Sequence, residues 1–224
     1  MMNNSLCDET IRIYFKNQFQ KILSLIVFSY NQILDNNEQV YKNYKLRNPP
    51  KNVSLENILT NMLVRYIRKN KGKFELGLFG FELEPSTEID SNNSTEGFLD
   101  IKVTNLTSSF DNKNNENIYF ALECKRLDLS AKPKLYAEQG IKRFKTGKYS
   151  KIVPFGGMIG YSELRQENIL EIVEKINDFM GNEHLILSDF IEFDFCFESS
   201  HDRINLSNIH LYHLILDYSD IIMD

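Results

Sequence analysis

Cysteine is scarce and badly spaced. Only Cys7, Cys124 and Cys196 are present, an odd number without metal-ligand spacing, so zinc is not indicated and a reducing, cytoplasmic setting is expected. No apolar run approaches the roughly eighteen residues needed to cross a bilayer, and the most apolar early segment, 22–30, lies inside an amphipathic pattern. The first ten residues are too polar for a secretory signal. No membrane partner is expected. An excess of positive charge is missing too: 26 Lys and Arg stand against 31 Asp and Glu, a net −5, which argues against a protein that coats nucleic acid indiscriminately. Gly147-Lys148 lacks the upstream glycine of a phosphate-cradling loop and no obvious helix follows it, so a P-loop is not indicated. There is no internal repeat, and the only compositional bias is in asparagine.

What is present is ordinary for a globular protein: 42% hydrophobic and 25% charged residues in a chain of 224, enough for one sizeable core. A single domain is expected. Apolar residues recur at three and four over 8–34 (Ile11, Tyr14, Phe15, Phe19, Ile22, Leu23, Ile26, Val27), predicting a long amphipathic helix, read either as a partner or dimer helix or as one packed on the protein's own sheet. Residues 36–52, with Asn48-Pro49-Pro50, read as a loop. Ser54 is placed to cap a helix reaching to about 70, with Glu56 in its first turn.

The glycine-containing segment 74–84 reads as a strand, followed by Glu82, Glu84, Glu88, Asp90 and Glu96 as extra ligands or solvated loop charges. A basic helix is expected over 132–146, a glycine-bearing buried strand over 155–161 and a helix over 163–180. Strands are expected at 190–197 and 209–216. His210 and His213 fall on opposite faces of the last strand, so a histidine metal site is disfavoured.

Two further segments carry the chemistry. Residues 97–103 and 120–127 are short, apolar and rich in β-formers, bounded by polar clusters, and read as two strands joined by a long loop. Alternation puts Glu123 and Lys125 on one face, with Leu122 and Cys124 turned into a core. In the first strand Leu99, Ile101 and Val103 share the apolar face and Asp100 lies opposite. Two acids and a lysine on neighbouring strands are costly if buried without partners. A divalent metal removes that cost, and oxygens from Asp100, Glu123 and the Cys124 carbonyl suit Mg²⁺, with Mn²⁺ as a substitute.

Asp100 followed by Glu123-Cys124-Lys125 resembles the D…(D/E)-x-K signature of the PD-(D/E)XK nucleases, over roughly residues 54–162. Leu99 stands where the superfamily's name puts a proline. The resemblance implies an α/β fold with a restriction-endonuclease-like central mixed β-sheet flanked by helices. It divides the chain into an N-terminal helix and loop (1–50), a nuclease core (54–162) and a C-terminal helix and strands (163–224). It further implies Mg²⁺-dependent hydrolysis of phosphodiester bonds, with Asp100 and Glu123 as metal ligands and Lys125 acting on the attacking water or on transition-state charge.

Glu56 resembles the superfamily's helix glutamate, and Gln139 its helix glutamine after the E-x-K strand. Tyr136, Lys142, Arg143, Lys145 and Lys148 are expected to bind substrate. Seven basic residues against one acid between 132 and 151 fit phosphate contacts, whereas ten acids follow Lys175 against a single Arg203. The expected partner is nucleic acid, with DNA the substrate named and the choice between DNA and RNA left open, in restriction or anti-phage defence, with a homodimer or larger defence complex open. Two alternatives remain: a catalytically weak nuclease-like binding or assembly subunit, and an enzyme acting on nucleotides or another phosphate ester.

Overall fold

The computed structural model describes residues 3–41, 54–83, 99–105, 118–150 and 152–223. Its centre is a seven-stranded mixed sheet in the order β2-β3-β4-β5-β8-β7-β6. The strands are β2 (Phe79–Leu83), β3 (Ile101–Asn105), β4 (Phe120–Leu127), β5 (Phe155–Ser162), β6 (Ile186–Leu187), β7 (Cys196–His201) and β8 (Ile209–Asp217). β4, β5 and β8 run parallel and the outer pairs are antiparallel. A separate parallel pair joins β1 (Val40–Tyr41) to β9 (Ile222–Met223).

Helices cover both faces, so the three parallel strands are buried on both sides and read as continuous apolar runs. On one face lie α1 (Asn3–Asp35) and α2 (Leu55–Asn70). Phe19, Ile22, Leu23, Ile26 and Val27 of α1 pack there with Leu122 and Cys124 of β4, Ile159 of β5 and Leu214 of β8. The long first helix is thus packed on the protein's own sheet, although Tyr14 of the expected stripe is 43% exposed. Ile11 has no described side chain. The Ser54 hydroxyl accepts from the Asn57 N–H at 3.1 Å, which caps α2 and fixes where Glu56 begins its turn.

The opposite face carries a helical stretch in three pieces: α3 (Lys132–Leu135), a π-helical turn (Tyr136–Ile141) and α4 (Lys142–Lys145). It packs with α5 (Ile169–Asp178) against Ala121, Met158, Leu211 and Ile215.

Several expectations are corrected. The chain bends at Asp100, so Leu99 packs on the α3–α5 face while Ile101 and Val103 pack on the α1–α2 face. The strand expected over 74–84 begins only at Phe79, because 71–74 form a 3₁₀ turn closed by Glu75 at φ +60°. Helix α5 is shorter than the 163–180 reading, and Leu170 is 61% exposed. The strand expected over 190–197 starts at Cys196; Phe190 is buried instead by stacking on Tyr212 at 3.9 Å. Among the later acids of the 82–96 group, residues 84–96 lie outside the described residues, and Glu82 is exposed on β2.

Gly156 lets the Phe144 ring of α4 lie against the sheet. A Cβ there would stand 2.5 Å from Phe144 Cε1 and 2.9 Å from Leu211 Cδ2. Gly156→Ala is therefore expected to destabilise the protein by about 1–3 kcal/mol, read as a lowered urea midpoint with unchanged slope. An unchanged midpoint would show that the Phe144 ring moves aside without cost.

Candidate functional site

The β3–β4 ladder ends at the Ile101–Leu122 pair. Beyond it the Cys124 N–H finds no strand partner on β3, and the Asp100 Oδ2 accepts it at 2.6 Å. The bend at Asp100 thus turns a carboxylate inward to continue the ladder. One residue either side of Cys124, alternation along β4 sends Glu123 and Lys125 to the face covered by the π-helical turn.

Four oxygens converge on the Lys125 ammonium. Nζ lies 2.7 Å from the Cys124 carbonyl oxygen, 2.9 Å from Glu123 Oε1, 3.3 Å from Glu56 Oε1 and 3.6 Å from Asp100 Oδ2. Glu56 reaches across from the first turn of α2, and its other oxygen accepts the Arg126 N–H at 3.1 Å. At the rim Arg126 pairs with Glu163 at 2.7 Å, and Lys132 bridges Glu163 and Asp128.

Glu123 is the most confined of these groups. Its side chain is fully buried, Oε1 receives both Lys125 and the Arg143 guanidinium, and Oε2 has no hydrogen-bond partner among the described residues. Burial first, then the nearby Asp100 charge, pushes its carboxyl up to about 7 against the pull of Lys125 and Arg143. Burial pulls Lys125 down, but Asp100, Glu123 and Glu56 outweigh it, and the ammonium is held above its ordinary range. Burial also pushes the Cys124 thiol far up, which leaves it an inert core group.

Asp100, Glu123, Lys125, Glu56 and the Cys124 carbonyl are therefore brought together. Of the other expected residues Arg143 joins them, through Glu123, and the rest do not. Tyr136 is fully buried, with its hydroxyl 3.0 Å from His213 Nδ1, and cannot touch a substrate from there. Gln139 is exposed; the π turn adds a residue and presents Gly140 to the site instead, where a Cβ would lie 3.8 Å from Lys125 Cγ. Arg143 sits on Glu123 rather than facing solvent alone. Lys145 pairs with Glu183, Lys142 is exposed and Lys148 is half-buried.

Sequence reasoning missed Tyr149 and a buried polar chain. Tyr149 packs beneath the Arg143 guanidinium, and its hydroxyl is pushed up by burial and then by Glu123. In the polar chain, Ser199 Oγ lies 2.8 Å from both His213 Nε2 and His201 Nε2, and His201 Nδ1 lies 3.0 Å from Glu183. The histidines are thus satisfied core groups, their protonation disfavoured mainly by burial. Period-two alternation placing His201, Ser199 and His213 on inward faces was the available signal.

Among the described residues no group of three or more His, Cys, Asp or Glu side chains is arranged to hold a metal ion; the lysine stands between the carboxylates. The donor chemistry is nevertheless that of a hard cation, with carboxylate and carbonyl oxygens and one buried carboxylate oxygen that has no hydrogen-bond partner among the described residues. No helix among the described residues is long and apolar enough to cross a membrane. Set against protein-family models, curated proteins and solved structures, the chain finds no match.

Unfolded, the Glu123 carboxyl titrates near 4.5; folded, near 7. Between those values the folded chain keeps a proton that the unfolded chain has released, so this group's contribution is full below about 4.5 and lost as pH rises through 7. Metal-free Glu123→Gln is expected to gain stability relative to wild type across that window, measured by urea unfolding at each pH. A difference independent of pH would show that Glu123 is ionised throughout.

Proposed function

We propose that this chain is a metal-dependent nuclease with a restriction-endonuclease-like fold, hydrolysing phosphodiester bonds of DNA. The observation that carries the reading is the convergence of Asp100, Glu123, Glu56 and the Cys124 carbonyl on the Lys125 ammonium, where the end of β3, the middle of β4 and the first turn of α2 meet. Asp100 and Glu123 would hold Mg²⁺ or Mn²⁺ with the Cys124 carbonyl. The ion would supply Lewis-acid polarisation of a phosphoryl oxygen and a more acidic bound water.

The protein's own groups divide the remaining work. In the metal-free site the neighbouring carboxylates hold the Lys125 ammonium above its ordinary range; beside a bound ion it would stand where it can stabilise charge developing on the phosphoryl oxygens. Glu56 holds both the lysine and the Arg126 N–H and so fixes the β4 backbone that carries the site. The basic helical stretch runs alongside, and Lys142 is exposed there for sequence-independent phosphate contact. A second reading, a catalytically weak nuclease-like subunit, is favoured by the same ion pairing: Lys125 and Arg143 already occupy the Glu123 oxygen without any metal.

Cleavage of plasmid and linear duplex DNA in Mg²⁺, Mn²⁺ and EDTA separates the two. Wild type should cut only with metal, and Lys125→Ala should lose about a hundred- to a thousand-fold in rate. Asp100→Asn, which keeps an acceptor for the Cys124 N–H, should lose as much while staying folded. Wild type that binds Mg²⁺ yet cuts nothing would favour the weak subunit.

A further expectation concerns pH. Metal requires Glu123 ionised, so Mg²⁺ affinity measured by calorimetry should fall with pH below about 7, with proton release on binding. An affinity flat from pH 8 to 5.5 would remove Glu123 from the ligand set.

A further inference from the structure

Two cations share one oxygen of Glu123, and they are not equally bound. Lys125 is 12% exposed and sits among four oxygens, so it cannot leave without abandoning all of them. Arg143 comes from α4 at the rim, is 33% exposed and meets Glu123 through a single guanidinium nitrogen. It also lies over the Tyr149 ring at 5.9 Å, a contact at the rim, so turning the side chain away would leave the four oxygens around Lys125 in place. Of the two, the arginine is the exchangeable partner.

Charge balance points the same way. Asp100, Glu123 and Glu56 bring three negative charges, and Lys125 with Arg143 brings two positive ones. A divalent cation joining all five would leave the cluster with net positive charge and set the guanidinium against the ion in a medium of low dielectric. The cluster is neutral when the dication enters and Arg143 departs. The π turn supplies the geometry for both states, because it puts Gly140 over Lys125 and Arg143 at the open edge.

Resting on the nuclease reading, we propose that Arg143 is an internal counter-ion that holds Glu123 while the carboxylates are metal-free and is displaced to a substrate phosphate when a divalent cation binds. The arginine thereby competes with metal and couples metal binding to polyanion binding. Phosphate groups would be the arginine's second partner because a guanidinium that holds Glu123 through one nitrogen can pair with a phosphate through two. Without metal the site is held closed by its own ion pair.

The decisive measurement is calorimetric titration of Mg²⁺, repeated with Mn²⁺, into wild type, Arg143→Gln, Arg143→Lys and Asp100→Asn at pH 8 without nucleic acid. Circular dichroism melts establish that each variant is folded. Loss of a competing charge-assisted bond should tighten metal binding in Arg143→Gln about tenfold, and Arg143→Lys should return it towards wild type. A merely structural arginine would do the opposite: with Glu123 no longer positioned, metal binding in Arg143→Gln would be weaker or unchanged, which overturns the proposal. If wild type binds metal and Asp100→Asn does not, a failure in Arg143→Gln belongs to this proposal alone. If wild type binds no metal, the nuclease reading fails first and the counter-ion role falls with it.

Discussion

A carboxylate with no exposed surface, set in the middle of a β-sheet, is the constraint on which the neighbouring structure depends. Burying Glu123 without partners would cost several kcal/mol, and the fold meets that cost with specific groups rather than with solvent. Lys125, two residues along the same strand face, is the nearest cation that alternation can supply. Lys125 in turn needs acceptors, which come from Glu56 across the sheet edge and from Asp100 at the bend. Arg143 completes the set from above. Removing one member changes the charge compensation of the others, so the groups of the cluster are energetically coupled.

The π-helical turn is the second device, and it depends on the first. A regular helix over 132–145 would place Tyr136, Gln139 and Arg143 on one stripe. The added residue in the turn separates them: Tyr136 goes inward to His213, Gln139 outward to solvent, and Arg143 over Glu123. Such turns are rare and unfavourable alone, so tertiary contacts must hold this one. The Tyr136–His213–Ser199–His201 chain is suited to that role, since it ties the start of the turn to β8 and β7 through fully paired buried polar groups.

How much of this the sequence disclosed follows the reach of each signal. Period-two alternation in 120–127 was sufficient to put Glu123 and Lys125 on one face, and Ser54 before an apolar stripe was sufficient to start α2 and place Glu56. These are local effects within a few residues. The bend at Asp100 was not legible, because it follows from where the β3–β4 ladder ends, a long-range fact; alternation continued through it and put Leu99 on the wrong face. The π turn has no signature in the residues themselves. The strands β1, β6 and β9 are two residues each and leave no period to read.

The basic segment shows why a count of charges is a poor guide to a binding surface. Seven cations against one acid between 132 and 151 suggest a strongly positive face. In three dimensions Lys132 meets Asp128 and Glu163, Lys134 meets Glu138, Arg143 meets Glu123 and Lys145 meets Glu183. Asp128 and Glu138 lie four residues from their lysines, whereas Glu123 on β4 and Glu163 and Glu183 on either side of α5 are brought close only by the fold. A phosphate approaching this face would therefore exchange with carboxylates already in place on most of these cations. Exposed pairs such as Lys134–Glu138 contribute little and exchange readily, whereas Arg143–Glu123 is anchored in a buried oxygen and yields only to a competitor for that oxygen. The electrostatic selectivity of the face thus lies less in its net charge than in the unequal strength with which its cations are held.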